Sequence, residues 1–370
     1  MSHLGKFTRR ALLLDARSMG LKSMAVCLGI AGTLLVLVIS RGNQAEEYYF
    51  WRQIQALGLG VYALFWVSQC TVDEVRRWTP LLTAAAIAAL VGVLFTPPIN
   101  GMRGWYHFWG FSVQPGELAK PLFLCSLAAF WESRGERLRD WSTFALSLAL
   151  LALWVVPLLL EPDAGTAAVY TFTFVALYWI QGLRRTQFAV LCGSGAAAFA
   201  LAAWRNPYML RRLVGFFHDA EDSAWQAGQM QECLRRGGWF GTFLHREALV
   251  RVPYRMNDSL YAVAAEQLGF MGMLPIFLLL LAWMGFCCYW AARRNNRFAQ
   301  TLILGAGMLP TIQAYLHLAV NLGLFPTTGV TLPFFSYGGS SLVAMMVILA
   351  CAEVGIKKTA SLRNKPDLNS

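Results

Sequence analysis

Charge is scarce in this sequence. Only 14% of its 370 residues are Asp, Glu, Lys or Arg, against 57% hydrophobic residues and a mean hydropathy of +0.47. A chain so poor in charge cannot coat a water-facing globule, and the composition is that of a membrane protein. Several signatures of soluble catalysis are also missing. There is no HExxH, and no second histidine stands at metal-ligand spacing from His317, which excludes a zincin centre. The sequence holds neither a Walker A loop nor a GxSxG elbow, which argues against an ATP-driven pump and a serine hydrolase. The first apolar run has no small-residue cleavage site, so the first helix is expected to stay attached. A disulfide framework is not expected either. Cys27, Cys70, Cys125, Cys192, Cys287, Cys288 and Cys351 fall in apolar runs, where cysteine acts as a small hydrophobe, and only Cys233 is expected in a loop.

What is present is a series of ten apolar runs, near 23–40, 54–72, 81–96, 117–131, 142–160, 164–181, 187–204, 260–290, 299–320 and 340–356. Each approaches the length needed to cross a bilayer. Basic clusters occupy alternate gaps: Lys6, Arg9, Arg10, Arg17 and Lys22, then Arg76/Arg77, Arg134/Arg137/Arg139, Arg184/Arg185, Arg293/Arg294/Arg297, and the closing Lys357, Lys358, Arg363 and Lys365. Short cytoplasmic loops carry such an excess, so both termini are expected in the cytoplasm. Membrane orientation accounts for most of the +11 net charge, and no nucleic-acid partner is expected. The fold class is therefore all-α and polytopic, with about ten transmembrane helices in one integral-membrane domain over 1–370. Residues 1–22 form a cytoplasmic N-terminal segment, 205–259 a large outer loop between helices 7 and 8, and 357–370 a cytoplasmic tail.

The outer loop breaks the charge rule. It holds Arg205, Arg211, Arg212, Arg235, Arg236, Arg246, Arg251 and Arg255. One reading has them solvated or paired with Asp219, Glu221, Asp222, Glu232 and Glu247, since long loops translocate regardless of charge. The other has guanidinium forks gripping a phosphorylated lipid headgroup. Asp258 ends this loop, three residues after Arg255 and directly before the eighth apolar run. It is a good helix cap, and equally a carboxylate suited to act as general base beside a cationic clamp.

Other polar residues interrupt the apolar runs. Glu117 and Lys120 in "QPGELAK" are three apart and share a helical face, where they form an ion pair or line a cavity. Asp163 in "LLLEPDAGTAAV" marks either a structural turn or an interrupted helix. Residues 321–341, "NLGLFPTTGVTLPFFSYGGSS", are built to turn, and their apolar content suggests a segment that dips back into the membrane. Gln313 and His317, four apart, lie on the helix before it, and His317 is expected to be a hydrogen-bonded interior histidine.

Taken together, "GMRGW" (101–105), "QPGELAK" (114–120), "EPDAGTA" (161–167), "PYRMNDSLYAVAAEQLG" (253–269) and "PTTGVTLPFFSYGGSS" (326–341) resemble, in order and spacing, the motifs of the SEDS family (shape, elongation, division and sporulation) of FtsW- and RodA-like proteins. Gln226, Gln229, Gly237 and Gly241 also match the family. The sequence departs from it at Gly104 (usually Arg), Gly116 (Ser), Glu161 (Gln), Phe243 (Gly), Asn257 (Thr), Gln267 (Glu) and His317 (Asn). The resemblance implies polymerisation of peptidoglycan glycan strands from lipid II at the outer face of the bacterial cytoplasmic membrane, in division or elongation. It implies Asp258 as the catalytic residue. Arg103, Glu117, Lys120, Asp163, Gln226, Arg251, Arg255, Ser336 and Gly338 are the expected substrate-binding residues. A divalent cation (Mg2+ or Mn2+) is expected as cofactor, and a class B penicillin-binding protein as partner. A lipid-linked precursor flippase, or a non-catalytic scaffold of the division or elongation complex, are the alternatives.

Overall fold

The computed structural model describes residues 2–40, 44–98, 101–108, 111–205, 210, 214, 221–242, 252 and 255–357, with backbone only at 2–19, 44–46 and 221–224. All ten apolar runs are helical. In chain order the elements are α1 (Ser2–Ser40), α2 (Gln44–Val67), α3 (Val72–Gly92), a hairpin of β1 (Tyr106–Phe108) and β2 (Phe111–Val113), the single turn α4 (Pro115–Leu118), α5 (Lys120–Arg134), α6 (Trp141–Leu160), α7 (Ala164–Ile180), α8 (Arg185–Arg205), α9 (Glu221–Gly237), α10 (Leu260–Ala291), α11 (Arg297–Asn321) and α12 (Gly339–Ile356). Among the described residues seven helices are long and apolar enough to cross a membrane, and α7 is a shorter apolar one.

Three sequence expectations are corrected, and one short element is added. Arg76 and Arg77 lie inside α3 rather than in a gap, because the capping box of Thr71 and Glu74 starts that helix early. The fourth run is split at Ala119 into α4 and α5. Between helices, residues 106–108 and 111–113 pair antiparallel, with Tyr106 opposite Val113, an element that the apolar runs did not indicate. The outer loop contains α9, and Cys233 is buried on it rather than lying in a loop.

The central helices are α11 and α12, whose spans are 78% buried, whereas α3 and α8 are 17% buried and peripheral. Small residues let the central helices approach closely: a Cβ on Gly305 would stand 2.6 Å from Leu124, and one on Gly355 would stand 2.7 Å from Ile303. Aromatic side chains fill the space among α5, α6 and α7. The indole N–H of Trp154 donates to Ser126 and that of Trp131 to Ser147, so neither is left bare in an apolar interior.

The two ends of the bundle differ in charge. At one end Glu353 of α12 accepts from Lys22 (3.2 Å) and Lys357 (3.0 Å), while Glu132 pairs with Arg76 (2.8 Å) and accepts from Asn296. Arg294 donates to the Ile356 carbonyl and Arg297 to that of Gly135 at the same end. The basic gap residues therefore gather on one side, as the alternation requires.

The eighth run is not one continuous helix. Gly269 sits at φ 67°, ψ 178°, which breaks α10 after its first nine residues, and this backbone region is open to glycine alone. The outer-loop chain fills the break: Phe270 N–H donates to Gly238 O, Met271 N–H to Trp239 O, and Thr242 N–H and its hydroxyl both to Glu266 O. A Cβ on Gly269 would collide with the backbone of Trp239 and Phe240. Gly269→Ala is expected to cost at least about 1–3 kcal/mol of stability. Gly228→Ala, which meets open space on α9, should be neutral or slightly stabilising. Thermal unfolding of both variants in detergent checks the contrast.

Candidate active site

Asp258 lies in the turn 255–259 immediately before α10, and it is half-buried. It is not the cap of that helix. Ser259 occupies the N-cap position without a side-chain hydrogen bond, and the orphan N–H groups of the first turn are taken from outside. Tyr261 N–H donates to His317 Nε2 (3.4 Å), and Ala262 N–H donates to Asn321 Oδ1 (3.1 Å), both from α11. The Asn321 amide then donates to the carbonyl of Asp258 (2.9 Å). His317 Nδ1 lies 2.7 Å from Val330 O, so the ring donates at Nδ1 and accepts at Nε2. This is the interior histidine expected from the sequence, with both nitrogens used.

A second segment closes on the same turn. Residues 330–336 run through the bundle instead of over its surface: Val330, Leu332, Phe334, Phe335 and Ser336 are all buried. Ser336 Oγ donates to Asn257 O (2.8 Å) and accepts from Leu332 N–H, Asn257 Nδ2 donates to Tyr337 O, and Tyr337 N–H donates to Met256 O. Gln53, fully buried on α2, spans the segment by donating to Ser336 O and accepting from Gly338 N–H. A Cβ on Gly329 would stand 3.8 Å from Asp258 Oδ2, and Gly329 has φ 77°. The carboxylate therefore lies beside a residue with no side chain. Gln226 of α9 reaches Ser259 Oγ (3.4 Å). The structure thus brings Gln226, Arg255, Asp258, Ser336 and Gly338 to one place.

Glu117, Lys120 and Asp163 form a neighbouring cluster. Glu117 and Lys120 pair at 2.6 Å, both buried, and Lys120 also donates to Gln313 Oε1 (2.7 Å). The Gln313 amide donates to Thr331, whose hydroxyl meets Ser341. Asp163 caps α7 by accepting from Thr166 N–H, and it also accepts from the Gln114 side chain (2.9 Å). The ion pair and the structural turn are therefore the readings realised. Gln313 and Thr331 connect this cluster to the segment that faces Asp258.

Other expected residues are placed elsewhere. Arg103 is exposed and donates to Leu94 O (3.0 Å), near the hairpin. Arg235 pairs with Glu232 and Arg236 with Glu266, so carboxylates engage these two outer-loop arginines. Arg251 lies outside the described residues. No group of three or more His, Cys, Asp or Glu that could hold a metal ion is found among the described residues. Asn321 was missed from sequence, although its spacing of four from His317 places the two on one helix face.

Glu161 is anomalous. It is fully buried at the C-terminus of α6, and neither carboxylate oxygen has a hydrogen-bond partner among the described residues. Burial, and next the neighbouring Asp163, push its carboxyl up to about 9. A Cβ on Gly104 would stand 3.4 Å from Glu161 Oε2, so the glycine leaves room for this side chain.

Comparison with known proteins gives one consistent picture. Residues 20–356 match the model of the FtsW, RodA and SpoVE family, described as "Cell cycle protein". The chain is 32% identical over 340 residues to the "Probable peptidoglycan glycosyltransferase FtsW" of Saccharophagus degradans, covering 86% of this chain and 87% of that one. With the protein of the same name from Thioalkalivibrio sulfidiphilus it shares 34% identity over 350 residues, covering 89% and 86%. Among solved structures, it superposes with TM-score 0.75 and 28% identity on a chain of the assembly solved as "Structural coordination of polymerization and crosslinking by a peptidoglycan synthase complex", covering 89% of this chain and 96% of that one. For the Rod shape determining protein RodA of Thermus thermophilus the TM-score is 0.68 at 27% identity, with 90% and 95% covered.

Two predictions follow from the buried carboxylates. Lys120→Met alone strands the Glu117 charge and should cost about 3–5 kcal/mol, while Glu117→Gln/Lys120→Met should recover most of that loss. A double-mutant cycle on detergent melting temperatures measures both. Glu161 has a raised folded value, so it costs nothing below the ordinary 4.5, where both states are protonated. As pH rises from there toward about 9, only the unfolded chain gains by ionising, and the native state loses stability. Glu161→Gln should leave the melting temperature unchanged near about pH 4 and raise it near about pH 8.

Proposed function

The chain belongs to the FtsW/RodA/SpoVE family of cell cycle proteins, and from that premise we propose that it is a peptidoglycan glycosyltransferase that polymerises lipid II. The observation that carries this reading is the placement of Asp258: a half-buried carboxylate facing the backbone of Gly329, on a turn tied by its own carbonyl to Asn321. A general base must be held at a fixed position while remaining reachable, and this turn meets both demands. Asp258 takes the proton from the 4-hydroxyl of the acceptor GlcNAc. The new O4–C1 bond forms to the donor MurNAc as the bond from C1 to the diphosphate breaks. Undecaprenyl diphosphate leaves with the electron pair. Arg255, in the same turn, supplies a guanidinium for the leaving diphosphate.

The diphosphate of the substrate would itself supply oxygen ligands to a divalent cation. Bound there it would neutralise charge on the leaving group. The partner fitting this activity is a class B penicillin-binding protein, which cross-links the new strand; the neighbouring assembly couples polymerisation with crosslinking. The Asp258 end of the bundle faces outward and the basic end faces the cytoplasm, by the distribution of Lys and Arg. The flippase reading draws less support, because Glu117, Lys120 and Asp163 are engaged in hydrogen bonds within the bundle.

Asp258→Asn should fold, with a stability change within about 1 kcal/mol, because Asp258 does not cap α10. Its glycan polymerisation from labelled lipid II should fall by at least about 100-fold, the usual share of a general base. Near-normal polymerisation by the purified variant would overturn Asp258 as the general base and leave it a turn residue.

A further inference from the structure

The clasp at Gly269 does more than close a broken helix. It carries Trp239 and Phe240 outward on a turn fastened by backbone hydrogen bonds: Gly238 O and Trp239 O accept from α10, and Gly241 N–H donates to Gly237 O (2.7 Å). Their side chains are 61% and 83% exposed, and the Trp239 ring lies edge-on to Phe270 at 5.4 Å. Phe270 begins a stripe of exposed apolar residues along α10, which continues through Met271, Leu278, Leu281 and Tyr289. Such a stripe on a membrane-crossing helix faces lipid. The two aromatic residues extend this lipid-facing surface without a gap, at its Asp258 end.

We propose that the Trp239–Phe240 tip is a membrane anchor, seated in the interfacial layer of the leaflet on the Asp258 side. Gly238 O, Trp239 O and Gly241 N–H are satisfied within the protein, which lowers the cost of seating this turn in that layer. Indole combines an apolar body with a polar edge and prefers this depth. Among the described residues the nearby Arg235 and Arg236 are paired with Glu232 and Glu266. The anchor is therefore apolar and indifferent to lipid charge. It holds α9 and its Gln226 against the turn of Asp258, so the position of the outer loop is set by the bilayer as well as by the protein. The inference rests on the membrane fold and not on the chemistry proposed above.

The test places the fluorophore NBD on Phe240→Cys, in a chain whose exposed Cys27, Cys192 and Cys288 are replaced by Ser. Gly228→Cys on α9, which meets open space, is the reference. Both are reconstituted in phosphatidylcholine vesicles, with and without phosphatidylglycerol. Quenching by aqueous iodide should be at least about threefold weaker at position 240 than at 228, and a nitroxide near the headgroup should quench position 240 more than one deep in the acyl chains. Trp239→Cys, labelled alike, should agree. Equal iodide access at both positions would overturn the proposal. Protection that requires phosphatidylglycerol, or that arises only when a partner protein is added, would also overturn it.

Discussion

Helix α10 begins without a side-chain cap of its own, and much of the outer end of the bundle depends on how that deficit is met. A buried N–H without an acceptor costs about 1–3 kcal/mol, so the first turn must find partners. His317 and Asn321 provide them from α11, and each is also bonded to another segment. His317 holds the carbonyl of Val330, and Asn321 holds that of Asp258. One pair of side chains, a helical turn apart, thus sets the register of α10, the internal segment 330–336 and the Asp258 turn together. Displacing any one of them would leave the others unsatisfied.

The same economy governs the polar residues deeper in the bundle. Lys120 sits between Glu117 and Gln313, and Gln313 passes the connection to Thr331 and Ser341. Few such groups are tolerated among spanning helices unless each finds a partner, because nothing in the surrounding hydrocarbon can substitute for water. Glu161 stands apart. With no hydrogen-bond partner among the described residues and a second acid beside it, it is best accommodated as the neutral acid, the form nearest to the Gln that the family carries there.

Much of this arrangement was legible beforehand. The ten apolar runs all proved helical, since apolar length is nearly sufficient to define a spanning helix. Asp163 was readable as a turn and His317 as an interior histidine because each is a polar residue with no water to meet. The hairpin 106–113 and helix α9 were not legible: both are short, polar or mixed in pattern, and held by contacts with distant elements. Gly269 was legible as the closing glycine of the motif 253–269, but not as a break in the helix. Its φ of 67° follows from the arrival of residues 238–242, thirty positions away in the chain.

The residues alone determined that this is a polytopic α-helical membrane protein, which end of each helix carries the charge, and which motifs belong to one family. These follow from local composition and spacing, which solvent and bilayer act on directly. Tertiary structure decided which of two roles each polar residue takes. Glu117 and Lys120 could have paired or lined a cavity, and Asp258 could have capped a helix or stood free of that duty. The choice rests on where the hydrogen-bond donors and acceptors of α11 come to lie. That geometry is a property of helix packing, and no single stretch of sequence contains it.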